Sequence, residues 1–291
     1  MRSGTLVIAV ALVAVSCTAG SSGADLPPPT PPPGSTVTTD PPSAVETCGA
    51  PGVPFAGSGL VSASGSEEGD AATISSIRWE RAEACDRVRI AFRSEAGAPA
   101  TSTGPFAASV LPTLGVVRVS LDPRIGTSGI ADLLADTELV DRIYVVRTPA
   151  RSLWVDLHLA TTDAVEARAF VDGAEIVVDV RRGADRRVVL SPPRRSSGVV
   201  VLSPGGGPSL YPFRISGYAA PGSRAVRIRM TTETGILGMD RSVATPPGDD
   251  AWAAFDVAVD DGPSGMVELF VGTVDALGLD DEGITVPLDL P

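Results

Sequence analysis

Val165-Glu166-Ala167-Arg168-Ala169-Phe170-Val171-Asp172-Gly173-Ala174-Glu175-Ile176-Val177-Val178-Asp179-Val180-Arg181 reads as one β-hairpin, and it sets the fold class. Val165, Ala167 and Ala169 before the break, and Ile176, Val178 and Val180 after it, recur at every second position. That is the period of strands with one face in a core. Asp172-Gly173 between them is the dipeptide of a two-residue type I′ turn. This turn pairs Ala169 with Ile176, Ala167 with Val178 and Val165 with Val180 on the apolar face. The other face then pairs Arg168 with Val177 and Glu166 with Asp179, and the latter is a mildly unfavourable like-charge pair.

Working outward, the same alternation recurs. Val88, Ile90 and Phe92 alternate with Arg87, Arg89 and Arg93, and Val116 to Leu121 is a further strand. Ser152 to Leu159 puts Leu153, Val155, Leu157 and Leu159 on one face and Trp154, Asp156 and His158 on the other. Gly129 to Val140 is the one helix candidate, with Ser128 as its cap. After residue 197 come Val199-Val200-Val201-Leu202, Phe213 with Ile215, Arg224 to Thr231, Ala251 to Val259, Val267 with Leu269 and Val271, and Ile284 to Leu290. Short alternating strands separated by turn residues predict an all-β chain of two antiparallel β-sandwich modules, 47–183 and 198–291, joined by an Arg-rich linker at 184–197. Composition agrees: 31 Gly and 26 Pro favour turns over long helices.

The first 46 residues read differently. Arg2 precedes an apolar stretch, Thr5 to Val15, that is short for a bilayer span and suits a signal peptide. It runs into Ala14-Val15-Ser16-Cys17, which resembles a bacterial lipobox, with Ala14 where Leu is usual. The resemblance implies cleavage after residue 16, diacylglycerol on the Cys17 thiol, and a protein held by lipid on the extracytoplasmic face of the plasma membrane. Residues 17–46 form a tether rich in Pro, Ser and Thr around Pro27-Pro28-Pro29-Thr30-Pro31-Pro32-Pro33. Such a segment cannot bury a core and is expected disordered and extended, reaching roughly 60 Å at ~3.1 Å per residue for about 20 residues. With Cys17 lipidated, Cys48 and Cys85 remain as a candidate disulfide in an oxidising compartment, worth roughly 4 kcal/mol by loop entropy. Two free thiols are the alternative.

Chemistry is sparse. The chain has no Lys, Asn or Gln, a net charge of −12 and 4% aromatics. It therefore offers no Schiff-base lysine and no basic, base-stacking surface for nucleic acid. His158 is the single histidine, no Gly-x-Ser-x-Gly elbow is present, and Gly126-Thr127-Ser128-Gly129 is one residue short of one. Gly205-Gly206-Gly207-Pro208 lacks phosphate-loop spacing. Asp260-Asp261-Gly262 and Asp280-Asp281-Glu282-Gly283 lack the ligand spacing of a calcium loop and read as solvated turns. We therefore expect no catalytic residues, no metal and no cofactor. His158 reads as an exposed residue on a polar strand face. Two candidate binding features remain. One is the strip Trp154, Asp156 and His158. The other is the cluster Arg181, Arg182, Arg186, Arg187, Arg194 and Arg195, either an anchor for anionic wall polymer or lipid phosphate or a solvated linker.

Two stretches carry family resemblances. Ile77-Arg78-Trp79, Asp86-Arg87-Val88-Arg89-Ile90 and Ile176-Val177-Val178-Asp179-Val180 resemble the AMIN-like domain of actinobacterial lipoproteins, over about Thr73 to Arg182. This implies a β-sandwich with a targeting role, in part through peptidoglycan. Ser203-Pro204, Pro212 to Ala219, Phe255, Gly265 with Leu269-Phe270, and Ile284 to Leu288 resemble the immunoglobulin-like domain of bacterial spore-germination and sporulation lipoproteins. Val274-Asp275-Ala276-Leu277-Gly278 departs from that pattern. The second resemblance implies an interaction role. Together they imply a non-enzymatic envelope lipoprotein that binds peptidoglycan or another wall polymer, the alternative being a structural or assembly lipoprotein that binds only envelope proteins.

Overall fold

In the computed structural model, residues 48, 52–64, 69–81, 84–184, 190–274 and 280–291 are described, and everything structural below concerns these. Cys17, the signal peptide, the whole tether, Arg186, Arg187 and residues 275–278 lie outside them. The described chain is all-β, with twenty strands and a single turn of 3-10 helix at Pro112–Leu114. The first eleven strands are β1 (Gly59–Ser64), β2 (Ala71–Arg81), β3 (Asp86–Ser94), β4 (Phe106–Leu111), β5 (Val116–Ser120), β6 (Thr127–Ser128), β7 (Asp132–Leu134), β8 (Val140–Arg147), β9 (Leu153–Leu159), β10 (Val165–Asp172) and β11 (Glu175–Arg182). The remaining nine are β12 (Arg194–Arg195), β13 (Val199–Ser203), β14 (Gly207–Pro208), β15 (Phe213–Ala219), β16 (Ala225–Thr232), β17 (Leu237–Ala244), β18 (Trp252–Val259), β19 (Gly265–Val274) and β20 (Asp280–Leu290).

Two sandwiches share one sheet. The order β1-β4-β5-β9-β8-β18-β15-β13-β12 runs unbroken from the first half of the chain into the second. Its first half covers the sheet β10-β11-β3-β2-β6, and the two bury Val88, Ile90, Val117, Val155, Leu157 and Val178 between them. Its second half covers β14-β20-β19-β16-β17 around Val201, Ile215, Ile228, Phe255, Leu269 and Val286. The seam is a short parallel ladder, Trp252 beside Val146 and Ala253 beside Arg147. Parallel ladders also join β2 to β6 and β14 to β20, additions to the antiparallel pattern that alternation alone predicts.

The hairpin forms, with its register displaced. Gly173-Ala174 make the two-residue loop, so Asp172 faces Glu175, Ala169 faces Val178 and Ala167 faces Val180. Gly173 has φ +62° and Ala174 lies outside the positive-φ region, the signature of a II′ turn and not the I′ expected. Partners move by two positions, so every side chain keeps its face. The like-charge pair disappears: Glu166 now faces Arg181 and Arg168 faces Asp179. Charge complementarity across the ladder accounts for this register.

The helix expected over Gly129 to Val140 does not form. Asp132–Leu134 pairs with β8, and the Ser128 hydroxyl closes a local turn on Ile130 (2.6 Å to its carbonyl, 3.1 Å from its N–H). Ile130 and Leu133 pack on the first core from this strand-and-turn path, so sheet pairing overrides the helical spacing. Asp280 to Gly283, read as a turn, begins β20. The expected disulfide Cys48–Cys85 is present, with Cα atoms 6.2 Å apart.

Candidate functional site

Strand β9 alternates as expected, yet both its faces are covered. Leu153, Val155, Leu157 and Leu159 enter the first core. The opposite face, expected to meet solvent, packs against the second sandwich. A third apolar cluster lies there: Val116, Tyr144 and Val146 from the first half, and Val200, Leu202, Tyr218, Trp252 and Ala254 from the second. Strands buried on both faces read as unbroken apolar runs. Val199 to Leu202 and Tyr144 to Val146 are such runs, the signal by which this junction could have been found.

Asp156 sits at the centre of that face, fully buried. It accepts hydrogen bonds from Arg118 Nε (2.8 Å) and Nη2 (2.7 Å) on the neighbouring strand, and one from the Tyr218 hydroxyl across the junction. Burial opposes the charge on Arg118, but the Asp156 carboxylate outweighs it and holds the guanidinium above its ordinary value. Burial raises the Tyr218 hydroxyl well above its ordinary range, and the Asp156 charge adds to this. The Arg118 guanidinium in turn stacks over the Trp154 ring, 4.0 Å from its centroid.

His158 is 1% exposed, which corrects the expectation of an exposed imidazole. Its ring lies 4.6 Å from Tyr144 and 5.9 Å from Tyr218. Burial pushes its pKa down to about 3, helped by the charges of Arg195, Arg118 and Arg142, so the imidazole is neutral at physiological pH. Neither ring nitrogen has a hydrogen-bond partner. The same holds for Trp154 Nε1, Trp252 Nε1, Arg147 Nε, Asp141 Oδ1 and the Tyr144 hydroxyl, although Arg142 and Arg195 lie close enough to Tyr144 to act on its titration. All belong to β8 or β18, which form the seam, or to β9, the next strand beside β8. Two ties compensate. Arg147 grips Asp250 (2.6 and 2.8 Å) and the Gly126 carbonyl (2.9 Å), and Arg195 pairs with Asp141.

The arginine cluster does not assemble into a bare cationic surface among the described residues. Arg181 pairs with Glu166 (2.6 Å) and covers the Phe55 ring at 4.0 Å. Arg182 reaches Glu138 (2.5 Å from Nη2, 3.1 Å from Nε) and Asp163 (3.1 Å). Arg194 donates to the Gly205 carbonyl (3.2 Å), and Arg195 belongs to the junction. The Trp154, Asp156 and His158 strip is likewise divided. Asp156 and His158 are structural, while Trp154 reaches a groove of about 380 Å³ where the sandwiches meet, walled by Leu114, Arg118, Leu202, Ser216, Tyr218 and Asp256 among others. Apart from Trp154, the residues of this groove were not singled out by their local pattern, because the two halves supply them from distant positions. No group of three or more His, Cys, Asp or Glu side chains among the described residues is placed to hold a metal ion. No protein-family model matches the chain, and no curated protein sequence matches it, so both family resemblances rest on the strand patterns alone.

Proposed function

We propose that the chain is an envelope lipoprotein, anchored through acylated Cys17 on the extracytoplasmic face of the plasma membrane, whose folded part binds a wall polymer such as peptidoglycan without catalysing a reaction. The observation that carries this is the cysteine arithmetic. The Cys48–Cys85 bridge takes two of the three cysteines and fits an oxidising compartment, and the third directly follows an apolar leader. A Pro-rich tether from Cys17 would hold the sandwiches off the bilayer and within the wall layer. The non-catalytic reading is supported by the single histidine, neutral and without a hydroxyl partner, which cannot serve as the base of a Ser-His relay in this arrangement.

The test uses the full chain in detergent, mixed with protein-free cell wall and sedimented at low and high salt. Co-sedimentation that persists at high salt is expected, since the described cluster arginines already have partners. Absence from the pellet at both salts, with envelope proteins co-purifying, would overturn wall binding in favour of a protein-only assembly role. Cys17→Ser should abolish acyl labelling in cells. Continued labelling would overturn the anchor.

A further inference from the structure

The geometry points to the groove between the two sandwiches as a binding site for an uncharged sugar ring of a glycan, seated against Trp154. This rests on the wall-binding reading and names the ligand class and the place. The groove, at about 380 Å³, falls at the small end of ligand pockets, which run from roughly 300 to 1,000 Å³. One wall is apolar: Leu114, Leu202 and the Trp154 indole. Arg118 lies over one face of that indole and fixes it, so the platform is organised before a ligand arrives.

The polar groups decide the ligand's charge. Arg118 commits Nε and Nη2 to the buried Asp156, which neutralises its charge, and its Nη1 hydrogens lie outside that pair. Asp256 at the rim is paired with Arg214 at 2.8 Å. The groove therefore presents donors and acceptors, with Ser216 beside them, but no surplus charge. Phosphate and free carboxylate polymers would gain no countercharge there. A pyranose meets both surfaces, with an apolar C–H face for the indole and a hydroxyl edge for Arg118, Ser216 and Asp256. Trp154 and Arg118 come from the first sandwich, and Ser216, Tyr218 and Asp256 from the second. A bound ring would therefore bridge the halves and stabilise their junction by linkage.

The experiment titrates the full chain in detergent with two tetrasaccharides, an uncharged N-acetylglucosamine tetramer and the anionic tetragalacturonate, following tryptophan fluorescence and heat at 0.1 and 0.5 M salt. The uncharged tetramer should bind with little salt dependence. Trp154→Ala should weaken it about tenfold or more, as removal of an aromatic anchor does. Ser216→Trp, which fills the groove from the opposite wall and leaves Arg118, Asp156 and Tyr218 intact, should weaken it as much while thermal unfolding stays near that of the parent. No binding of the uncharged tetramer, undiminished binding by Ser216→Trp, or tighter salt-sensitive binding of the anionic tetramer would each overturn the assignment. The wall sedimentation separates the two ideas. Sedimentation retained in Ser216→Trp keeps wall binding and removes the groove. Saccharide binding without sedimentation of the parent keeps the groove and removes wall binding.

Discussion

Asp179 and Asp156 are both fully buried, both lie on strands, and both hold arginine, but they are satisfied in different ways. Asp179 on β11 takes Arg87 from β3 (2.7 and 3.1 Å) and Arg168 from β10 (3.0 and 2.7 Å). These are its direct neighbours in the ladder, where Arg87 and Arg168 face Asp179 on either side. Strand register alone delivers that network. Asp156 takes Arg118 from its ladder neighbour and its third hydrogen bond from Tyr218, sixty-two residues away and in the other sandwich. Around it stand several buried polar atoms with no partner. A buried charge resolved within one sheet is closed and local. The one at the junction exists only if the two halves are docked.

The comparison can be broken by substitution. Asp179→Asn leaves two guanidinia, 7% and 5% exposed, without their shared countercharge and should cost about 3–5 kcal/mol in urea unfolding of the full chain. Asp156→Asn should cost less, about 2–3 kcal/mol, because Arg118 is 20% exposed and can recruit water. The reverse order would mean that the junction is the more tightly sealed of the two. His158 sharpens the contrast through pH. Its folded pKa of about 3 lies below its ordinary 6.5, so between these values the unfolded chain takes up a proton that the folded chain refuses. Its contribution to stability is therefore lost as pH falls, by about 2 kcal/mol from pH 6.5 to 5. Lowered carboxyl pKa values such as those of Asp70 and Asp122 push in the same direction at lower pH, so the measurement is the difference between the parent and His158→Phe. Equal slopes for the two proteins would contradict a buried imidazole. Tyr218→Phe removes one donor to Asp156 and should cost the least, about 1.5 kcal/mol, with Arg118 still in place.

The sequence was legible wherever structure follows from neighbours along the chain or across a hairpin. Period-two spacing identified β3, β9, β10 and β11 in the first sandwich and β16, β18, β19 and β20 in the second, but not β1, β4, β8 or β17. Asp172-Gly173 located the hairpin to within one residue of its true turn. The register escaped because the apolar face cannot distinguish shifts of two, and only Glu166, Arg168, Asp179 and Arg181 together decide it. The stretch after Ser128 misled because its apolar spacing suits a helix, while its backbone had a sheet edge on β8 to pair with. The junction escaped for a different reason. Trp154, Asp156 and His158 carry the chemistry of a solvent face, and nothing local says that Tyr218 and Trp252 will cover it. Only the unbroken runs Tyr144 to Val146 and Val199 to Leu202 hint that a second face is buried.

The docking of the two sandwiches is the claim on which the groove and the Asp156 network depend, and the single histidine reports on it directly. The measurement is a proton-detected NMR titration of the His158 imidazole in the full chain from pH 8 to 4. A resonance that stays in the neutral position throughout, while the protein remains folded, is the predicted result. A titration midpoint near 6.5 would place His158 in solvent and show that the two halves do not pack on that face.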